Sequence, residues 1–346
     1  MFSHGHSVFI LGPGFIGLEL IDRLLEQKYN VTTLVRRKEA AQDLEKRGVK
    51  TILGTLADSD IIADQSASHD IIFHTATADD LPSVEAVIRG IDQRANEGRQ
   101  TIYIHTSGCS SLSDQSQGAY ASNIIYTDKD PGPLDALSDD ASHREIDLAI
   151  IRARQRLGSK AKTFLMLPPL IYGANKYGRL SIHIPTMARF ALKHNYAGYV
   201  GGGEGRWTMI HVSDLSRGYM TMLQWLEQSP PEVALEHPYF FCENGEELSW
   251  KQLATFIGED LHAAGRIAQP DPREIPKEQY HDLFGPYSMV VIGSNARNRG
   301  ERLRELGWKP THLSVRQSFH EEDLPVLLKE EGEFKGYAGV AASGSG

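Results

Sequence analysis

Gly12-Pro13-Gly14-Phe15-Ile16-Gly17 has the G-x-G-x-x-G spacing with which a main chain holds a phosphate. The first glycine makes a tight turn, the second admits a diphosphate against the backbone, and the third lets a helix pack close to the preceding strand. The helix that opens there supplies free N–H groups and a partial positive charge. The alternative is a plain glycine-rich turn. Its place between an apolar run and an amphipathic helix favours a dinucleotide. At the end of the next apolar run stand Arg36 and Arg37, followed by Lys38. A carboxylate there would bind a ribose 2′-hydroxyl. Guanidinium groups suit a 2′-phosphate instead, through charge-assisted hydrogen bonds of about 1.5–3 kcal/mol each. That amounts to roughly a 10- to 100-fold preference for NADP(H) over NAD(H). A solvated basic cap on the following helix is the competing reading of the same residues.

The elements that must position these groups alternate through the first half of the chain. Strands are expected at Ser7–Leu11, Val31–Val35, Lys50–Leu53, Asp70–His74, Thr101–Thr106 and Thr163–Leu167, and helices at Phe15–Lys28, Lys38–Arg47 and Leu81–Glu97. Such alternation implies right-handed crossovers and a parallel sheet. A long polar loop follows from Ser107 to about Leu137, and Ser138-Asp139-Asp140 reads as the cap of a helix running to Leu157. After Gly173 the alternation fades into helical patterns (182–194, 213–228, 250–264, 315–329), with one apolar run, Tyr239–Cys242, suited to a late strand of the main sheet. The expected fold is α/β, a Rossmann-type doubly wound parallel sheet with a smaller, interwoven C-terminal α+β lobe. Residues 1–173 would form the core and 174–340 mainly the second lobe, with about 211–243 returning to the core and 341–346 as a flexible tail.

Bulk properties narrow the classes. The 346 residues are 40% hydrophobic and 23% charged, as in a globular protein. Lys+Arg 36 against Asp+Glu 45, net −9, argues against nucleic acid as a partner. No apolar run is long enough for a membrane span, and Met1–Ser7 lacks the basic start of a signal peptide. With Cys109 and Cys242 alone, neither a disulfide framework nor a metal site is indicated, and a cytoplasmic location is expected. Cys109 is either a reactive thiol or, more simply, a small loop filler.

The motifs together resemble the extended or atypical short-chain dehydrogenase/reductases, the superfamily of NAD-dependent epimerases and dehydratases that also holds the nitrogen-repression regulators. Phe15-Ile16-Gly17 resembles that family's glycine turn, Phe73-His74-Thr75-Ala76 its fourth-strand end, and His105-Thr106-Ser107-Gly108 its fifth-strand serine motif. Pro169-Leu170-Ile171-Tyr172-Gly173 resembles the segment passing the nicotinamide, and Ile210–Leu215 a later His-Val-x-Asp-Leu signature. The resemblance implies cofactor contacts from Thr75, Ala76, Thr106, Pro169, Leu170, Ile171 and Tyr172, besides the turn and the arginines. It also implies a homodimer paired through helices 81–97 and 138–157.

Two departures stand out. Leu11 occupies the place of the family's first glycine, and no Tyr-x-x-x-Lys stands on the helix after the long loop, where the family has its catalytic pair. His143-Arg144-Glu145-Ile146-Asp147 stands where that pair would be. An imidazole titrates near neutrality without help from a lysine. Asp147, one turn along, would orient it, and Ser107 would polarise a substrate carbonyl. A polar helix start with no catalytic role is the alternative. Tyr120, Tyr126 and Tyr172 are competing proton donors. His211 and Asp214 are read as tying a loop to a helix start. The expected function is NADP(H)-dependent reduction of a carbonyl or imine of a small metabolite. The alternatives are a sugar-nucleotide epimerase or dehydratase, and a non-catalytic NADP-sensing regulator.

Overall fold

The apolar runs of the first half pair edge to edge, because all but the edge run at Lys50–Leu53 are buried on both faces and need a partner for every backbone N–H. The computed structural model describes residues 6–312 and 314–337. Its elements are β1 (Ser7–Leu11), α1 (Phe15–Glu26), β2 (Asn30–Val35), α2 (Lys38–Glu45), β3 (Lys50–Leu53), α3 (Ser59–Ser68), β4 (Ile71–His74), α4 (Leu81–Asn96) and β5 (Thr101–Thr106). From Ser107 to His143 the chain carries only a 3-10 turn at Cys109–Leu112, the short strand β6 (Tyr126–Thr127) and a one-turn helix α5 (Gly132–Asp135). There follow α6 (Arg144–Leu157), β7 (Ala161–Leu167), β8 (Leu170–Tyr172), α7 (His183–His194), β9 (Gly198–Tyr199), β10 (Arg206–His211), α8 (Val212–Gln228), β11 (Tyr239–Phe241), β12 (Glu247–Ser249) and α9 (Trp250–Ala263).

Seven strands form one sheet in the order β11-β7-β5-β4-β1-β2-β3, and every pairing in it is parallel. The fold is therefore the expected doubly wound parallel sheet. Side chains alternate along each strand. Val8 and Ile10 join the apolar layer under α1 and α8, with Phe73, Phe164 and Tyr219. Phe9 and Leu11 join the opposite layer under α4 and α6, with Ile72, Tyr103, Val87 and Ile150. The Tyr239 run joins the main sheet as expected, and the structure puts it at the edge, on β7. Helix α8 packs back on α1, where Arg23 donates to Ser216 Oγ at 2.6 Å and to Ser213 Oγ at 2.9 Å.

The strand order reverses direction at β1 and β4, so the crevice at their C-terminal ends is where such a sheet binds ligands. A smaller sheet has the order β12-β10-β8. Two helix expectations need correction. The helix placed at 138–157 begins only at Arg144, because His143 has the left-handed φ of 65° and breaks the right-handed run before it. The run 315–329 contains a π-turn at Phe319–Asp323 between two short α segments. Residues 341–346, expected as a flexible tail, lie outside the described residues. No helix among the described residues is long and apolar enough to cross a membrane.

Candidate active site

Each glycine of the turn answers to a different constraint. Gly12 has φ +95°, and a side chain there would collide with the backbone of Ala76. Any side chain at Gly17 would strike the carbonyl of Gly12 and the Thr75 hydroxyl. At Gly14 a Cβ would meet nothing within 4 Å, so this residue faces open space. Thr75 clips the turn to β4: its N–H donates to the Leu11 carbonyl at 2.8 Å and its hydroxyl to the Gly12 carbonyl at 2.8 Å. Gly14 is also the N-cap of α1, with no side chain occupying the helix start. A cradle open at its middle glycine, at an uncapped helix N-terminus, fits a dinucleotide diphosphate.

Around it the residues named from sequence divide. Pro13, Phe15 and Ile16 are partly exposed on the turn, and Ala76 is exposed beside it. Arg36 and Arg37 are exposed just past β2, and neither has an acidic partner among the described residues. The Thr106 hydroxyl is buried against Tyr219, 2.6 Å away, so its side chain faces α8 instead of the crevice. Leu170 is fully buried in the core, and Ile171 packs in the layer that holds Ile16. Tyr172 is buried too, with its hydroxyl accepting from Asn244 at 2.9 Å, and burial pushes that phenol up. Pro169 follows β7, and the neighbouring Pro168 carbonyl accepts from Cys109 N–H at 3.0 Å. Cys109 itself is 1% exposed, and burial raises its thiol well above the usual range, so it fills space.

No hydrogen bond joins the side chains of His143 and Asp147 among the described residues, although the two lie near enough for their charges to interact. The His143 ring lies between two loops: Nδ1 is 2.5 Å from Asp79 Oδ1, and Nε2 is 2.5 Å from Ser110 Oγ. A carboxylate only accepts, so Nδ1 carries a proton and donates to Asp79. That hydrogen bond holds the Asp79 carboxyl below its ordinary range. The Ser107 hydroxyl, 2.9 Å from Asp147 Oδ2, donates to it instead of facing a substrate. Ser107 is 4% and Asp147 2% exposed. Asp147 Oδ1 is buried with no hydrogen-bond partner among the described residues, and desolvation raises this carboxyl to about 7. Of the competing tyrosines, Tyr120 is exposed and Tyr126 lies in β6.

Asp79 and Ser110 were missed from sequence. Both sit on loops past strand ends, and only the tertiary fold joins them to His143. His211, His312 and Glu322 form a second cluster invisible in sequence, close enough to share an ion. The rings of His211 and His312 stack at 3.5 Å and 2°, so their in-plane lone pairs run parallel and cannot converge on one metal as they stand. His211 Nδ1 accepts from Ser213 N–H at 3.1 Å, which leaves the ring proton on Nε2, facing Glu322 at 2.9 Å. As drawn, the cluster is a hydrogen-bonded latch.

Comparison with known proteins agrees with this geometry. A family of NAD(P)H-binding domains matches residues 12–130. An Acremonium protein named oxidase ucsJ is 27% identical over 94% of this chain and 98% of its own. The dTDP-glucose 4,6-dehydratase of Bacillus anthracis, solved with NAD, superposes with a TM-score of 0.65 at 14% identity, covering 94% of this chain and 97% of that one. The yeast methylglyoxal/isovaleraldehyde reductase Gre2, solved with NADPH, gives 0.62 at 13% identity, over 93% and 98%. Residues 12–130 therefore match an NAD(P)H-binding family, and the chain shares the fold of these dehydratase and reductase structures.

Proposed function

We propose that the chain is an NADP(H)-dependent reductase acting on a carbonyl or imine of a small metabolite, with the His143 site as its proton source. The observation that carries this reading is the open glycine cradle followed, past β2, by two exposed arginines without acidic partners among the described residues. The turn, with Thr75 behind it, would hold the diphosphate, and Arg36 and Arg37 would pair with the 2′-phosphate. When bound, the reduced nicotinamide supplies a hydride. The chain's own residues position the substrate and deliver a proton to its heteroatom. An imidazole whose Nδ1–H is fixed on the Asp79 carboxylate is held in place for that task. Gre2, reported with NADPH, supports a reductase on this fold.

Titration calorimetry tests the cofactor half. Wild type should bind NADPH more tightly than NADH, and Arg36→Ala/Arg37→Ala should weaken NADPH roughly 10- to 100-fold while leaving NADH nearly unchanged. Equal affinity for both coenzymes in wild type would remove the NADP assignment. A panel of aldehydes, ketones and imines with NADPH consumption as readout tests the chemistry. Cofactor binding with no turnover across the panel would favour a dinucleotide-sensing regulator.

A further inference from the structure

We infer that Asp79, His143 and Ser110 form a proton relay in which the Ser110 hydroxyl, not the imidazole or Ser107, hands the proton to the substrate. The inference deepens the reductase reading and rests on it. It follows from the way both ring nitrogens of His143 are committed. Nδ1 donates to Asp79 and Nε2 faces Ser110 Oγ, each at 2.5 Å. No ring edge is left for a substrate atom. On the Nε2 side a ring proton leaves through Ser110 Oγ.

The tautomers make the direction definite. With the ring neutral, Nε2 accepts the Ser110 O–H. With the ring protonated, Nε2–H donates to Ser110 Oγ, and the hydroxyl hydrogen turns outward to another acceptor. During reduction the hydride brings two electrons to the carbonyl carbon, and the π pair moves onto the carbonyl oxygen. That oxygen takes the Ser110 hydroxyl proton while Oγ takes the Nε2 proton. The products are an alcohol, oxidised cofactor and neutral His143, its Nδ1–H still on the Asp79 carboxylate. Once product leaves, water restores the proton through Ser110.

Three further observations fit a built relay. The Asp79 side chain is 66% exposed and that of His143 17%, so the chain of groups opens to water at its acidic end. His143 keeps a left-handed backbone that non-glycine residues seldom adopt, a strain that persists where surrounding structure enforces it. Gly108 has an extended φ of −165°, open to any residue. A Cβ there would nonetheless stand 3.1 Å from His143 Nε2 and 3.5 Å from Ser110 Oγ, so the absent side chain leaves room for the pair. Ser107 lacks this access, being buried and donating to Asp147. Asp79 touches no reacting atom in this scheme and is a positioning residue.

The test uses the full chain with ¹⁵N-labelled histidine rings, His143 being assigned with His143→Gln. The spectrum of wild type should show the neutral ring protonated at Nδ1. Asp79→Asn should alter the Nδ1 signal, and Ser110→Ala should alter Nε2 while leaving Nδ1 in place. In parallel, Ser110→Ala should lower kcat for carbonyl reduction roughly 10²–10⁴-fold with NADPH affinity unchanged, and Ser110→Thr should restore most of it. Ring signals indifferent to both substitutions would overturn the relay, whatever the turnover. Full turnover by Ser110→Ala would overturn the assignment of Ser110 as donor. A wild type that reduces no carbonyl or imine, yet shows the coupled ring shifts, would sink the reductase reading and leave the relay in place.

Discussion

At the scale of single residues, the three turn glycines separate binding from folding. Gly14→Ala places a methyl where nothing stands within 4 Å, at a φ of −98° that alanine tolerates. It should leave Tm within a degree or two and weaken NADPH binding by at least about tenfold, because the methyl fills the diphosphate's approach. Gly12→Ala meets both a positive φ and the Ala76 backbone, so it should cost several degrees of Tm even without cofactor. Calorimetry beside thermal denaturation reads both. A Gly14→Ala chain that binds NADPH like wild type would mean that the diphosphate lies elsewhere. These glycines and the arginines were legible in sequence because their roles are local: a turn, a helix start, a strand end. The partners of His143 were not. They depend on a positive φ at a non-glycine residue, and nothing in the sequence around residue 143 signals it. The ring's Nδ1 bonds Asp79, and the Asp147 carboxyl bonds Ser107.

At the scale of elements, the sheet was readable because each strand is a short apolar run between polar breaks. What escaped was α3 (Ser59–Ser68), whose buried residues are only Ile62, Ser66 and Ala67, too few for a clear helical stripe. The edge strand β11 was visible, but not what holds it. Buried Arg302 donates to the carbonyls of His237 and Tyr239, each at 2.9 Å, and lies over the Phe240 ring at 3.9 Å. Asp128 accepts from Phe241 N–H at 3.0 Å and Glu301 N–H at 2.8 Å, tying the same strand to the long loop and the late chain. Arg302→Met keeps the aliphatic stem but leaves two carbonyls without their donor. It should cost roughly 2–4 kcal/mol in urea unfolding and speed hydrogen exchange at residues 239–241 ahead of β1 and β4. Uniform exchange across the sheet would show that β11 is held by its ladder on β7 alone.

At the scale of the whole molecule, buried ionisable groups pull stability in opposite directions with pH. His74 and His183, desolvated to about 4, stay neutral in the fold while the unfolded chain takes up protons below about 6.5. Their share of stability is therefore lost as pH falls from about 6.5 towards 4. Asp147 and Asp323, raised by burial to about 7 and about 8, do the reverse. The folded chain keeps a proton that the unfolded chain has released, so their share is present at pH 4 and lost as pH rises towards 7 or 8. Between about 4 and 6.5 the two sets offset each other, and above that range the carboxyls act alone. Wild type should accordingly lose stability from pH 6.5 to 8. Asp147→Asn still accepts the Ser107 hydroxyl but cannot ionise, so it isolates one contribution. Its stability relative to wild type should rise between pH 4.5 and 8 by up to roughly 3 kcal/mol, the part of the shift that falls in that window. Urea titrations at the two pH values measure this. An offset that is the same at both would show that Asp147 ionises in the fold as freely as in water, through solvent reaching the one oxygen that has no protein partner.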